Sequence, residues 1–345
     1  MMKRVLLYSA KFMNIYLDIK KGLEDMGYDV EWIEANTVPN NPFNKTLGLY
    51  SEDNIDAYLY KASEKWKSLL VSDKFSRPFD FFISVVGIDI PPFVFEELSR
   101  SNPQIRKVLY LYDRVEGVYQ IDRFFKYYDE VFSFDKGDCR QFKLTFLPIY
   151  WIPVSTVVEN LKYDIFAFAS YSELKQDRTA LFSELKKIAD NNNYSDFIKL
   201  YDRSYGTNKT VFIVKSLVKW LLKRNTLTMK DISVGLITGK SVEPDEYRQL
   251  INQSRVVFDT QAPYQDGLTA RFMWALGAGK KIITTNPHIK TYEFYDKNQF
   301  FVLDNNINEI ESFVNNPFEP SSLQKEMIGP YRIDNWVKTL LDNAR

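Results

Sequence analysis

A polar turn introduces an otherwise apolar helix in the segment from Tyr264 to Asn286. Gly267 lets a ligand approach the backbone closely, Thr269 supplies a hydroxyl donor, and Arg271 supplies a delocalised positive charge. The first N–H groups of a helix have no partner inside it and lie at the positive end of its dipole, so this turn can bind a phosphate or diphosphate. The candidate ligand-binding residues here are Gln265, Asp266, Gly267, Leu268, Thr269 and Arg271.

The elements around this turn place it at the edge of a sheet. Apolar residues recur at helical spacing after the turn, two glycines end the helix, and β-branched strands come before and after it. These elements are the strand Ser254 to Thr260, the helix residues Leu268, Phe272, Ala275 and Leu276, the stop at Gly277 and Gly279, and the strand Lys281 to Thr285. Such a unit puts its loop over the carboxyl edge of a parallel sheet, where ligands bind. In the alternative interpretation, Asp266 is an ordinary helix cap and Arg271 a solvated residue.

Length and composition indicate the number of domains, the kinds of partner and the cellular location. The 345 residues predict two domains, since a domain averages ~150 residues. With 45 basic and 45 acidic residues there is no global field to attract nucleic acid, and Cys139, the only cysteine, excludes an internal disulfide. The chain opens directly on a strand without a secretion signal, and it has no apolar run of the ~18 residues that a membrane span needs. We therefore expect a cytoplasmic protein.

The order of hydrophobic runs predicts an α/β fold with two Rossmann-like domains. Short apolar runs alternate with helical or turn segments through both halves, as in parallel sheets. The predicted domains are 1–153, on the acceptor side, and 154–328, which carries the polar turn. Residues 329–345 form a final helix whose apolar face comprises Ile333, Trp336, Val337 and Leu340.

Two Rossmann-like domains with the polar turn in the second resemble glycosyltransferases of the GT-B fold. Asp266, Gly267 and Leu268 match the first part of the donor motif of that family, residues 275–279 its helix end, and residues 282–286 its strand. The resemblance implies a central cleft between the domains, a nucleotide-sugar donor, a C-terminal helix that crosses back to the first domain, and contacts from Asp266 to hydroxyls of the transferred sugar. Trp274 stands where the family usually has a second acid that binds the ribose.

A closer resemblance is to the CgeB-like and cell-surface polysaccharide group. The shared motifs are DEVFSFDKGDC at Asp129 to Cys139, FLP at Phe146 to Pro148, and the block Gly267 to Asn286. This resemblance implies a bacterial glycosyltransferase of capsule, O-antigen or lipopolysaccharide synthesis, acting on a saccharide or lipid-linked acceptor. An epimerase acting on nucleotide sugars and a noncatalytic nucleotide- or carbohydrate-binding protein remain open as alternatives.

Further donor contacts are expected from loops that follow neighbouring strands of the second domain. Ser170 and Tyr171 come just after one strand, Arg178 lies about two turns further along, Thr238 follows another strand, and Gln261 follows Asp259. Each of these positions can equally be a plain loop residue.

Three residues are candidates for acid–base chemistry. Asp89 and Asp113 each follow a strand of the first domain, and His288 is the only histidine. We prefer Asp113, with Arg114 beside it, although a salt-bridged structural aspartate is the alternative. Because the chain has no Asp-x-Asp pair for a divalent cation, we expect a metal-independent enzyme without a cofactor.

One basic amphipathic helix indicates where the protein works. Three lysines repeat at four-residue spacing opposite an apolar face with Trp220 beside them. The lysines are Lys215, Lys219 and Lys223, and the apolar residues are Val214, Leu217, Val218 and Leu221. The face can contact a membrane peripherally or can pack within its domain.

Overall fold

The computed structural model describes residues 2–35, 52–85, 89–118, 120–153, 161–171, 176–221, 229–261, 265–304 and 306–342. The chain folds into two compact units. Unit 1 comprises Met1–Tyr150, Tyr264–Leu268 and Gly329–Arg345, and unit 2 comprises Trp151–Pro263 and Thr269–Ile328. The polar turn is therefore divided: Gln265 to Leu268 lie with unit 1, and the helix that follows lies with unit 2.

Unit 1 contains a parallel sheet of six strands in the order β2-β1-β3-β4-β5-β6. The strands are β1 Arg4–Ser9, β2 Asp29–Glu34, β3 Phe81–Val85, β4 Arg106–Leu111, β5 Glu130–Ser133 and β6 Thr145–Phe146. Its helices are α1 Ile15–Asp25, α2 Glu52–Leu70, α3 Pro92–Ser101 and α4 Lys136–Phe142, with the C-terminal helix described below. All six residues of β1 are buried, which is typical of a central parallel strand covered on both faces.

Unit 2 contains a second six-stranded parallel sheet, in the order β12-β11-β10-β7-β8-β9. The strands are β7 Tyr163–Ser170, β8 Asp196–Tyr201, β9 Ile237–Thr238, β10 Ser254–Asp259, β11 Lys281–Thr284 and β12 Phe300–Val302. Its helices are α5 Gln176–Asn191, α6 Arg203–Thr207, α7 Lys209–Leu221, α8 Met229–Ser233, α9 Pro244–Asn252, α10 Ala270–Gly277, α11 Ile310–Asn315 and α12 Ser322–Ile328. The two sheets confirm the predicted α/β class with two Rossmann-like domains.

The C-terminal helix, α13 (Ile333–Asp342), packs on unit 1. Trp336 is fully buried, and its indole N–H donates to the carbonyl oxygen of Pro148 at 2.9 Å. Its ring contacts those of Tyr110 and Tyr150 edge-on, with centroids 4.7 and 5.1 Å away. The apolar face seen in the sequence thus fills the core of unit 1.

Helix α7 does not bury the apolar face that the sequence suggests. Phe212 and Ser216 are buried, whereas Val214, Leu217 and Val218 are exposed, so packing within the domain is the wrong interpretation for these three residues. The side chains of Lys219, Trp220 and Leu221, and the whole of Lys223, lie outside the described residues. Within the described ranges, no helix combines the length and apolarity that crossing a bilayer requires.

Candidate functional site

The start of α10 is organised around the buried carboxylate of Asp259, the last residue of β10. Asp259 Oδ1 accepts hydrogen bonds from the Thr269 hydroxyl at 2.9 Å and from Arg271 Nε at 3.2 Å. Thr269 is the N-cap of the helix, and its hydroxyl oxygen accepts the N–H of Phe272 at 3.1 Å. The single O–H of Thr269 is thus given to Asp259 in this structure, and a contact from Thr269 to a phosphate stays a prediction. The cap is Thr269, so the alternative that made Asp266 the cap is also wrong.

Two arginines approach this one carboxylate. Arg271 Nη2 also donates to the carbonyl oxygen of Thr260 at 2.8 Å. Arg178, in the first turn of α5, has its Nε buried with no hydrogen-bond partner. Burial and the neighbouring charge of Arg271 together lower the pKa of Arg178 to about 10, against the weaker opposing effect of Asp259. The charged form of Arg178 is therefore disfavoured more by burial and by Arg271 than it is favoured by Asp259.

Unpartnered polar atoms also occur just after β10. Thr260 Oγ1 and Gln261 Oε1 are both buried and have no hydrogen-bond partner. The backbone N–H of Gln261 makes only a long contact to Thr285 Oγ1, at 3.5 Å. Because buried polar groups are normally hydrogen-bonded, these atoms and Arg178 Nε mark a place suited to a polar ligand.

Other predicted donor residues lie at the same carboxyl edge of the unit 2 sheet. Ser170 ends β7 with an exposed side chain, and Thr238 ends β9, where its Oγ1 accepts the N–H of Lys240 at 3.1 Å. The backbone N–H of Tyr171 donates to the carbonyl oxygen of Tyr201 at 2.8 Å, and the ring of Tyr171 packs edge-on against Phe212 of α7. Because the strands are parallel neighbours, their carboxyl ends bring these residues and Gln261 to one edge.

The turn before α10 is anchored within unit 1 by Asp135, a residue that sequence reasoning did not select. Asp135 is fully buried and caps α4, where its Oδ1 accepts the N–H groups of Gly137 at 2.9 Å and Asp138 at 3.1 Å. Its Oδ2 accepts the N–H groups of Asp266 at 2.8 Å and Gly267 at 3.0 Å. The N–H of Gly267 is therefore not free for a phosphate, which corrects the prediction. Asp135 could have been recognised as a helix cap, because it lies between a predicted strand and a helix in the motif DEVFSFDKGDC.

Gly267 is required by packing rather than by the approach of a ligand. A Cβ atom at this position would lie 2.4 Å from the ring of Phe134 and 2.6 Å from its carbonyl oxygen. Leu268 is buried, and the side-chain amide of Gln265 donates to the Gly267 carbonyl at 3.1 Å. The turn residues are thus held mainly by contacts to unit 1 and to one another. Asp266 alone keeps a partly exposed carboxylate, 3.5 Å from Arg140.

The three acid–base candidates have different surroundings. Asp89 is buried and accepts the hydroxyl of Tyr8 at 2.6 Å, as expected of a structural acid. His288 is exposed in a 3-10 turn and lies beside the capping Asn286. Asp113 follows β4 with an exposed side chain, yet the surrounding protein desolvates its carboxyl and raises its pKa.

Arg114 does not neutralise Asp113. Its Nε lies 3.4 Å from Asp138 and 3.6 Å from Asp135, and within the described part of the chain Asp113 forms no ion pair. Among the described residues, the alternative of a salt-bridged structural aspartate thus has no partner for Asp113. Next to these acids, burial and the two carboxylates raise the pKa of the Cys139 thiol to about 12, which favours the protonated thiol at neutral pH.

Trp274 is a core residue of α10. It is buried, with the ring of Tyr247 6.0 Å away edge-on and the guanidinium of Arg248 4.7 Å above its ring. Its indole N–H has no hydrogen-bond partner. The position thus presents no carboxylate for a ribose, in contrast to the usual GT-B residue.

No protein-family model matches the sequence, and no curated protein matches it. Solved structures do match its fold. The α,α-trehalose 6-phosphate synthase of Burkholderia multivorans is 11% identical, with a TM-score of 0.62 over 100% of this chain and 98% of that one. The UDP-GlcNAc 2-epimerase of Methanocaldococcus jannaschii, in complex with UDP-GlcNAc and UDP, is 12% identical, with a TM-score of 0.54 over 99% of both chains. An alpha-glucosyltransferase in complex with UDP and DNA is 12% identical, with a TM-score of 0.50 over 99% of this chain and 95% of that one. At these low identities, the structural similarity over nearly the full chains shows a shared GT-B fold and nothing about activity.

Proposed function

We propose that this protein is a glycosyltransferase that takes a nucleotide-sugar donor, whose diphosphate is bound in unit 2 by Arg178 and Arg271. One observation carries the proposal: Arg178 has a buried Nε without a hydrogen-bond partner, and the positive charge of Arg271 acts on its guanidinium more strongly than the negative charge of Asp259. Burying an uncompensated cation destabilises a fold, so such a group is expected where an anionic ligand completes it. A diphosphate supplies both the negative charge and the acceptor oxygens that paired guanidinium groups bind well.

The neighbouring polar groups support a nucleotide rather than a simple anion. The unpartnered oxygens of Thr260 and Gln261 can accept hydrogen bonds from hydroxyl groups of the donor, while the loop after Thr238 offers backbone groups to a base. Two of the structural relatives were solved with UDP, which makes a uridine nucleotide the first donor to test. Ser170, at the end of β7, is the remaining candidate for a phosphate contact.

Asp266 and Asp113 are assigned to the sugar chemistry. The backbone of Asp266 is fixed by Asp135, and its partly exposed carboxylate lies 3.5 Å from Arg140; we assign this carboxylate to hydroxyls of the transferred sugar, as the resemblance implies. Asp113 is the proposed general base: it removes the proton of an acceptor hydroxyl as that oxygen attacks the anomeric carbon and the nucleoside diphosphate leaves. Arginines stabilise the charge of the leaving diphosphate, so the proposed reaction needs no metal ion.

The finer assignments rest on the resemblance to the CgeB-like and surface-polysaccharide group. They are a saccharide or lipid-linked acceptor, a role in capsule, O-antigen or lipopolysaccharide synthesis, and a cytoplasmic location. None of them is needed for the donor site proposed in unit 2.

A nucleotide-sugar epimerase is the second candidate, because one structural relative bears that name. Donor turnover separates the candidates. The protein is incubated with UDP-sugars and GDP-sugars, with saccharide acceptors and EDTA, and both the free nucleoside diphosphate and the sugar of the remaining donor are measured. We expect acceptor-dependent release of nucleoside diphosphate that EDTA does not abolish.

Matched variants sharpen this experiment. Asp113→Asn is expected to lower turnover by about 10²-fold or more, in the range of lost general-base catalysis. Asp122→Asn removes another exposed carboxylate of unit 1 and should leave turnover unchanged. Epimerised donor without nucleotide release would favour the epimerase, and binding without either reaction would favour a noncatalytic protein.

A further inference from the structure

Helix α7 exposes a continuous row of aliphatic side chains. Val211, Val214, Leu217 and Val218 are 43%, 54%, 38% and 49% exposed. Their spacing places them on one face of the helix, while Phe212 on the opposite side is buried in the core of unit 2. Single exposed aliphatic residues are ordinary, but four on one helix face form a surface that another apolar phase can cover.

The segment that carries this face is strongly basic. Residues 203–230 contain seven lysines and arginines and no acidic residue, although the whole chain is neutral. The rest of the chain therefore holds 38 basic and 45 acidic residues, which is a net negative charge. Lys209 and Lys215 are exposed on α7 itself, the second next to the aliphatic row.

We propose that this face of α7, comprising Val211, Val214, Leu217 and Val218 with the adjacent Lys215, docks on an anionic membrane surface. A helix of 13 residues is about 20 Å long, too short to cross a hydrocarbon core of ~30 Å. An amphipathic helix with aliphatic residues on one side and lysines beside them binds instead in the plane of the interface. The lysines are attracted by acidic headgroups while the valines and the leucine enter the acyl boundary.

A second copy of this chain is a poorer occupant. A two-fold interface would bring the same basic segment of both copies together, and like charges across an interface oppose association. One helix face also offers little area compared with the ~800 Å² that each partner of a stable complex usually buries. The anionic bilayer satisfies both the apolar row and the charge, whether or not the protein transfers a sugar.

Vesicle co-sedimentation tests this proposal with the full-length protein. We expect binding to vesicles of phosphatidylglycerol and phosphatidylcholine at low salt, and at least tenfold weaker binding to vesicles of phosphatidylcholine alone. The double variant Val214→Asp, Val218→Asp should reduce binding to the acidic vesicles at least tenfold. Val71→Asp, which alters an equally aliphatic and 86% exposed side chain in unit 1, is the control and should bind like the unmodified protein.

A further double variant and an unfolding measurement separate a loss of binding from a loss of folding. Val214→Ser with Val218→Ser tests the same face without added charge, and thermal unfolding shows whether each variant is folded. No binding of the unmodified protein to acidic vesicles, or equal binding by folded double variants, would overturn the proposal. Sedimentation that reveals a dimer dissolved by the same substitutions would assign the face to a second copy and would also overturn it.

Discussion

Arg178 and Arg271 carry the same charge but have different surroundings. Arg271 is engaged twice, by Asp259 and by the carbonyl of Thr260, and its interaction with the carboxylate raises its pKa. Arg178 has a desolvated guanidinium whose buried Nε is unpaired, and its pKa is lowered. One arginine therefore holds the folded site together, whereas the other imposes a cost that a bound anion can offset.

We predict that the two methionine variants shift thermal unfolding in opposite directions in the absence of ligand. Arg178→Met removes an uncompensated cation and should stabilise the protein by about 1–2 kcal/mol, within the range seen when buried charges are replaced by apolar groups. Arg271→Met leaves the buried carboxylate of Asp259 without its ion pair and should cost about 3–5 kcal/mol. Lys187→Met, on an exposed part of α5, is the control. Destabilisation by Arg178→Met as large as that by Arg271→Met would contradict the assignment.

Asp113 gives a prediction on pH. Desolvation raises its pKa, so a base at this position becomes ionised at a higher pH than an ordinary aspartate, which titrates near 4. The rising limb of kcat/KM should therefore lie above pH ~4 and should disappear with Asp113→Asn. A carboxyl with a raised pKa stabilises the fold only at low pH and loses that contribution as pH rises through its folded pKa. At neutral pH, Asp113→Asn should accordingly unfold at an equal or higher temperature than the unmodified protein. If the rising limb of kcat/KM against pH were unchanged in Asp113→Asn, another group would be responsible for it.

The roles of individual polar residues were only partly accessible from the sequence. Thr269 and Arg271 were selected from the polar turn, whereas Asp259, which binds both of them, lies ten and twelve positions earlier in a separate strand and was not selected. Asp135 is 131 residues away from Asp266, and a hydrogen bond over that separation leaves no local pattern. The sequence also could not show that the hydroxyl of Thr269 is used internally, because capping and ligand binding require the same residue type.

The turn of residues 265–268 and helix α4 form one packed element within unit 1. The two carboxylate oxygens of Asp135 accept hydrogen bonds from four backbone N–H groups, two at the start of α4 and two in the turn. One side chain thus connects the helix to the turn. Gly267 lies against Phe134, where a side chain has no room. The conformation of the turn is thus set by its contacts before any ligand binds.

We predict that Gly267→Ala destabilises the protein by about 1–3 kcal/mol, as overpacking of a core commonly does. The clash includes the carbonyl oxygen of Phe134 at 2.6 Å, which the rotation of a side chain cannot relieve. Gly329→Ala is the matched control, since a Cβ there meets no atom within 4 Å. The measurement is the midpoint of denaturant unfolding. Equal midpoints for the two variants would contradict the prediction, because they would show that the turn can shift to accommodate a Cβ atom at little cost in stability.

Strands and helices were predicted better than the faces they bury. The parallel strands follow from short apolar runs, and the strand expected before Thr238 is present as the two-residue strand β9, which includes Thr238 itself. Helix α7 shows the limit, because an apolar stripe predicts an apolar contact but does not say what makes it. Its valines have no cover within the described fold, and amphipathicity alone could not decide between a core and a lipid surface.

For the molecule as a whole, the fold is shown and the activity is proposed. The chain contains two parallel six-stranded sheets, and its similarity to GT-B structures extends over almost its full length. One fold of this kind hosts transferases and epimerases alike, so function depends on particular groups. Here those groups are Arg178 and Arg271 of unit 2. The buried Trp274 occupies the position where the family usually has the ribose-binding acid.

Isothermal titration of the unmodified protein and of Arg178→Met with UDP and with uridine tests the donor site most directly. We predict that UDP binds the unmodified protein and that Arg178→Met weakens it about ten- to a hundredfold, the equivalent of roughly 1.5–3 kcal/mol for a charged hydrogen bond. Uridine, which lacks phosphate, should bind both proteins weakly and equally. Equal affinity of the two proteins for UDP, with the variant folded, would contradict the assignment of the diphosphate to Arg178.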